Sequence, residues 1–139
     1  MRNLKLVSLL LVAVILVLNV VGCVTKTEPQ TGELIYVDIK IVGEDGDEIV
    51  NEEKYPTNAL NVYDAVMYCL EEQGINYIPN ETGTNFVSIG DYVEYDDDEN
   101  YYFWIYRVNG REVTGEPNEA EIQDGTKITY DFEATKKGA

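Results

Sequence analysis

Residues 61–74, which read NVYDAVMYCLEEQG, are the stretch that decides the fold. Their apolar side chains recur at i, i+3, i+4, i+7 and i+8, the spacing that places residues on one side of an α-helix. These side chains are Val62, Ala65, Val66, Cys69 and Leu70. Asn61 is placed to cap the start of the helix, and Gly74 can adopt the left-handed conformation that often ends one. The stretch therefore predicts one amphipathic helix whose apolar stripe packs on another element.

Strands are predicted on both sides of this helix. The predicted strands are 34–42, 48–55, 86–89, 102–108 and 127–132. Apolar and polar side chains alternate most clearly in 34–42 and 102–108, which is typical of strands with one buried side. Each of these two is followed by a strong signal for a hairpin turn, Asp45-Gly46 and Asn109-Gly110 respectively.

This order of elements predicts an α+β domain of two layers, because one helix can cover one face of one sheet. If the terminal strand lies beside the first and parallel to it, the arrangement is a β-grasp. We therefore expect a β-grasp-like fold, with one mixed β-sheet packed on a single α-helix and preceded by a cleaved signal peptide.

The first 23 residues carry the features of an export signal. Arg2 and Lys5 precede an apolar run at 6–18, which is shorter than the roughly 20 residues that span a bilayer. The sequence Val-Val-Gly-Cys then resembles the lipobox of bacterial lipoproteins. That resemblance implies cleavage before Cys23 and attachment of a diacylglyceryl group to its thiol. We expect the protein on the extracytoplasmic face of a bacterial membrane, anchored by lipid; an ordinary secretory signal is the alternative.

The chain is predicted to have four parts. They are the lipoprotein signal peptide at 1–22, the lipidated Cys and a flexible tether at 23–33, a folded domain at 34–133 and a tail at 134–139. The tether is assigned because residues 24–33 are polar, lack periodicity and contain Pro29 and Gly32.

Composition excludes several classes of function. The chain has 26 acidic and 10 basic residues, a balance that argues against a nucleic-acid partner. It has no histidine, which removes histidine-based acid–base catalysis and nucleophile activation. Cys69, the only cysteine besides Cys23, falls on the apolar stripe of the helix and is expected to fill the core. We predict that the protein is not an enzyme and has no cofactor.

Two stretches in the second half of the chain resemble a known family. Residues 104–110 read WIYRVNG, and residues 121–130 read EIQDGTKITY. Together they resemble the paired signature of a bacterial domain family of unknown function that is related to the C-terminal β-domain of transcobalamin and intrinsic factor. The resemblance covers about residues 34–133 and implies a β-grasp-like domain.

The resemblance also implies roles for the signature residues. The matching positions are Trp104, Tyr106, Val108, Asn109, Gly110, Asp124 and Gly125. We expect these residues to be structural. In the cobalamin carriers this β-domain closes over the corrinoid, so the resemblance makes a corrinoid one candidate for a small ligand.

A tyrosine-rich segment is the candidate binding surface. Tyr95, Tyr101 and Tyr102 flank a charged loop and are expected to be exposed, so that their rings could stack on a flat ligand, a sugar or a partner protein. The acidic residues at 94–99 are of the type that binds Ca²⁺, but their spacing does not match an EF-hand loop. We expect a solvated loop there and predict no metal site.

The expected function is binding at the membrane surface. The chain is predicted to be an extracytoplasmic lipoprotein, attached to the membrane through its N-terminal lipid, whose transcobalamin-like domain binds an unknown small ligand or a surface protein. The alternative is a protein- or glycan-interaction or spacer subunit of an envelope assembly, with no small-molecule ligand.

Overall fold

The computed structural model describes residues 32–138. The predicted signal peptide, Cys23 and most of the predicted tether lie outside the described residues. Within residues 32–138, no helix is long and apolar enough to cross a membrane.

The described residues form one α-helix and nine strands. In chain order they are β1 (Ile35–Val42), β2 (Glu48–Thr57), α1 (Val62–Gln73), β3 (Tyr77–Pro79), β4 (Phe86–Ile89), β5 (Tyr92–Val93), β6 (Tyr95–Asp96), β7 (Asn100–Val108), β8 (Arg111–Glu112) and β9 (Lys127–Lys136). A short 3-10 turn at Glu44–Gly46 joins β1 to β2. β9 continues three residues into the segment that was predicted as a tail.

The helix has the predicted position and both predicted ends. The Asn61 side chain accepts a hydrogen bond from the main-chain N–H of Asp64, and Gly74 ends the helix with a φ of 68°. Val62, Val66 and Leu70 are fully buried, so the apolar stripe faces the core. Cys69 is also fully buried, and desolvation raises the pKa of its thiol to about 12.

The larger sheet has six strands in the order β2-β1-β9-β7-β6, with β8 also paired to β7. β1 and β9 run parallel, with Ile39 opposite Ile128, whereas the other strand pairs of this sheet are antiparallel. The pairing of the first and last strands that was considered from the sequence is confirmed.

The predicted fold class is nevertheless wrong. β3, β4 and β5 form a second sheet, and strands make up 49% of the described residues against 14% for helix. The domain is therefore mostly β, and it is not the α+β β-grasp-like arrangement of one mixed sheet on one helix. The physical reason is size: α1 has 12 residues and is about 18 Å long, whereas the 10 residues of β9 extend over about 33 Å.

The second sheet covers the part of the larger sheet that α1 does not reach. Phe86 of β4 has its ring centroid 4.7 Å from that of Tyr63 on α1 and 5.7 Å from that of Tyr130 on β9. Tyr92 of β5 lies 5.6 Å from Phe132, also on β9. Helix and small sheet thus bury the same face of the larger sheet in one apolar core.

The signature residues lie in this core and in the turns that border it. Trp104 and Tyr106 are buried, and Val108 packs at the margin. The Trp104 indole Nε1–H donates a hydrogen bond to the main-chain oxygen of Tyr92, so it links β7 to the second sheet.

Two turns hold the start of β9 against its neighbours. Asn109, with a φ of 52°, accepts a hydrogen bond through its Oδ1 from the main-chain N–H of Lys127. Asp124 Oδ1 accepts one from the main-chain N–H of Tyr36, and the Gly125 N–H donates to the Tyr36 carbonyl. These bonds connect β9 to β7 on one side and to β1 on the other.

Replacing Gly74 with alanine should destabilise the domain through the backbone alone. A Cβ at Gly74 meets nothing within 4 Å, but its positive φ is costly for an L-residue, by about 1–2 kcal/mol. Gly115→Ala is the matched control, because that site is equally open and lacks the positive φ. Urea unfolding should show the loss for Gly74→Ala only; equal losses would contradict this account.

Candidate functional site

The two faces of the larger sheet differ in what covers them. Strand residues alternate between faces, and Trp104, Tyr106, Tyr130 and Phe132 are buried on the side of α1. The opposite side, here called the open face, carries side chains that are partly or fully exposed. On β7 and β9 these are Tyr101, Phe103, Ile105, Arg107, Lys127, Thr129, Asp131, Glu133 and Thr135.

An open groove of about 540 Å³ lies at one edge of the sheet, beside β6, the start of β7 and the end of β9. Its lining residues are Glu94, Tyr95, Asp96, Tyr101, Tyr102, Phe103 and Thr135. All three tyrosines that were predicted as binding residues are therefore part of one groove. The lining combines four aromatic rings, three of them phenols, with two carboxylates and the hydroxyl of Thr135.

Tyr95 and Tyr102 form a stacked pair. They lie opposite each other in the β6–β7 ladder, with ring centroids 4.2 Å apart and planes 8° from parallel. Tyr102 continues the stack towards Phe132 at 6.5 Å, whereas Tyr95 is half exposed. Desolvation, followed by the contact with Tyr95, raises the pKa of Tyr102 to about 12. The phenol is therefore neutral at physiological pH and acts as a stacking and hydrogen-bonding group.

Tyr101 points to the other side of the sheet. It lies opposite Asp96 on β6 and opposite Thr135 on β9, and alternation directs its ring away from the side of Tyr102. Its ring is half exposed, and the Lys137 ammonium lies 4.9 Å from the ring centroid. The three predicted tyrosines thus share a groove but do not form one flat surface.

The acidic loop is tied to the backbone of its own hairpin. Asp97 accepts hydrogen bonds from the main-chain N–H groups of Asn100 and Glu99, and these bonds hold its pKa below the usual range. Glu94 accepts one from the Trp104 N–H on the outer edge of β7. Burial raises the pKa of the Glu94 carboxyl, and this hydrogen bond partly offsets the effect. Among residues 32–138, no group of three or more His, Cys, Asp or Glu side chains could hold a metal ion.

Phe103, Thr135 and Lys137 were not singled out by sequence reasoning. Alternation in 102–108 already placed Phe103 opposite Trp104, so a signal for it existed. Thr135 and Lys137 lie in the segment interpreted as a tail; the antiparallel register of β7 with β9 brings Thr135 into the groove lining, and Lys137 follows beside it.

Comparison with known proteins shows a likeness of fold. No family model matches the chain, and a search of curated proteins gave no match. Among solved structures, the chain is similar to a "putative metal binding protein" from Ruminococcus gnavus, with a TM-score of 0.54 and 15% sequence identity. The match covers 73% of this chain and 98% of that one. At this identity the likeness concerns the fold alone.

Glu94→Gln should stabilise the domain at pH 7 and have little effect near pH 3.5. A carboxyl whose pKa is raised by folding makes the folded state bind more protons, so stability falls as pH rises from the ordinary glutamate pKa through the raised one. Glutamine escapes this loss and still offers an oxygen to the Trp104 N–H. Thermal unfolding at both pH values measures the difference.

The control for Glu94→Gln is Glu112→Gln on β8, where the side chain is exposed. It reports the general benefit of removing one negative charge from an acidic protein. An equal gain at pH 7 for both variants would contradict a specific burial cost at Glu94.

Proposed function

We propose that the chain is a lipid-anchored extracytoplasmic binding protein whose ligand site is the groove between β6, β7 and β9. The observation that carries the proposal is the groove's lining of exposed aromatic rings beside a few polar groups. Small-molecule sites typically combine apolar and aromatic walls with a small number of placed polar groups. The half-exposed rings of Tyr95 and Tyr101 give stacking surface at low conformational cost.

Binding accounts for the groove better than catalysis does. The chain has no histidine, and Cys69 is buried with a strongly raised pKa. Of the groove carboxylates, Glu94 is committed to the Trp104 N–H. The remaining groups are suited to stacking, hydrogen bonding and charge recognition.

The proposed location rests on residues 1–23. Their positive start, short apolar run and lipobox-like ending support export followed by lipid attachment at Cys23. The described chain begins close to β2 and the loop after it, where the Gly32 N–H donates a hydrogen bond to the Asn58 carbonyl 2.6 Å away. The predicted tether at 23–33 is short, and it would keep the domain near the membrane.

Cys23→Ser should remove the lipid and release the protein or block its processing. Metabolic labelling with an alkyne fatty acid, together with membrane fractionation, measures both effects. Cys69→Ala is the control, because it removes the other thiol and should leave labelling intact. Unchanged labelling or membrane retention of Cys23→Ser would overturn the anchor.

A ligand for the groove should stabilise the full chain in a thermal-shift screen of corrinoids, glycans and small organic ions. At about 100 times its Kd, a ligand specific for the folded state contributes about 2.7 kcal/mol. Tyr101→Leu should abolish the shift, whereas Tyr36→Leu should not, since Tyr36 is similarly exposed but lies on β1 outside the groove. A screen without any shift would overturn small-ligand binding and favour the interaction or spacer alternative.

A further inference from the structure

A cationic group of the protein itself lies beside the groove, in contact with two of its lining residues. The Lys137 Nζ lies 2.8 Å from Asp96 Oδ2 and 4.9 Å from the centroid of the Tyr101 ring. Asp96 and Tyr101 are directly opposite each other in the β6–β7 ladder, so their side chains project from the same face of the sheet. The ammonium thus contacts a carboxylate and an aromatic ring at once.

This arrangement differs from the other lysine ion pairs of the described chain. Lys40 pairs with Glu48 at 3.4 Å, and Lys127 pairs with Asp38 at 3.9 Å. Within residues 32–138 the contact of Lys137 with Tyr101 is the one cation–π pair. Aromatic faces beside carboxylates are the chemistry with which proteins recognise ammonium groups, because the ring quadrupole and the negative charge both attract the cation.

We propose that Asp96 and Tyr101 form a site for a primary ammonium group on an alkyl chain, and that Lys137 is its intramolecular occupant. This inference rests on the proposed function of the groove and names the ligand chemistry for part of it. A ligand bearing such a group would displace the lysine side chain and lay its alkyl portion along Phe103, the groove ring that shares the Tyr101 side of the sheet.

The lysine can leave without disturbing the strand. Its main-chain N–H donates to the Glu99 carbonyl at 2.8 Å, so the backbone at Lys137 is held independently of the side chain. The Asp96 side chain is 63% exposed and that of Lys137 30%, and ion pairs at the surface are weak and screened by salt. An external ammonium therefore competes with an intramolecular partner whose ion pair contributes little free energy.

The acidic character of the chain favours such a ligand. With 26 acidic and 10 basic residues, the protein attracts cations to its surface. Asp97 lies close enough to this site for Lys137 to help lower its pKa, after the two main-chain N–H groups that dominate the effect. A second carboxylate thus contributes to the local negative potential.

The test is a calorimetric titration of the full chain with cadaverine, a five-carbon diamine, and with 1-pentanol as its uncharged counterpart. Lys137→Gln should bind cadaverine about fivefold more tightly than the wild type, since it removes the internal competitor. Lys136→Gln is the matched control, because it removes the same charge from the adjacent, exposed residue, and it should not change the affinity. Pentanol should not bind.

The Lys137→Gln background then tests the two site residues. Adding Tyr101→Leu or Asp96→Asn should remove the gain in cadaverine affinity, whereas Tyr101→Phe should keep it because the ring remains. Circular dichroism checks that each variant is folded. If the Tyr101→Leu variant does not fold, Asp96→Asn alone tests the site. Equal cadaverine affinities for the Lys136 and Lys137 variants would overturn the proposal. So would a cadaverine affinity that neither the Tyr101→Leu nor the Asp96→Asn substitution changes.

The outcomes also separate this inference from the proposed function. If an uncharged ligand binds the groove in a Tyr101-dependent way while no variant binds cadaverine, the ammonium site is wrong and the groove remains a binding site. If neither cadaverine nor any screened ligand binds, both fail.

Discussion

The parallel pairing of β1 with β9 is the constraint on which the rest of the domain depends. It places the last strand in the middle of the larger sheet, where β9 is flanked by β1 and β7. Because β9 pairs with β7 along nine residue pairs, its far end reaches Asn100 and the β6–β7 hairpin. The groove and the contact between Lys137 and Asp96 therefore both depend on the position of β9 between β1 and β7.

Sequence patterns predicted the elements that have enough residues to show a period. Five apolar positions and two caps were sufficient for α1, and alternation located β1, β7 and β9 within a few residues. The strand at 86–89 was predicted, but the second sheet to which it belongs was not, because β3 and β5 contain only three and two residues, too few for an alternation to stand out. Phe86 of the predicted strand stacks on Tyr63 near the start of α1, a contact that no local pattern shows.

The candidate site was predicted in part for a related reason. Tyrosine content pointed to Tyr95, Tyr101 and Tyr102, but only the register of β6 with β7 shows that Tyr95 pairs with Tyr102 while Tyr101 faces Asp96. Asp97 accepts a hydrogen bond from the main-chain N–H of Asn100, and Glu94 accepts one from that of Trp104, so these two carboxylates bind the backbone. Asp96 is left to face outward, and long-range pairing, which no local pattern encodes, decides what it meets.

The central position of β9 also governs how the chain can fold. The Tyr36 N–H donates a hydrogen bond to Asp124, 88 positions further along the sequence, and the parallel ladder of β1 with β9 joins similarly distant segments. Contacts this far apart in sequence slow folding, because the entropy of closing the long loop is lost before the ladder forms. A chain that emerges from a ribosome or a membrane pore with its first strand ahead holds β1 paired only with β2. The inner edge of β1 then stays open to other chains until the final strand arrives.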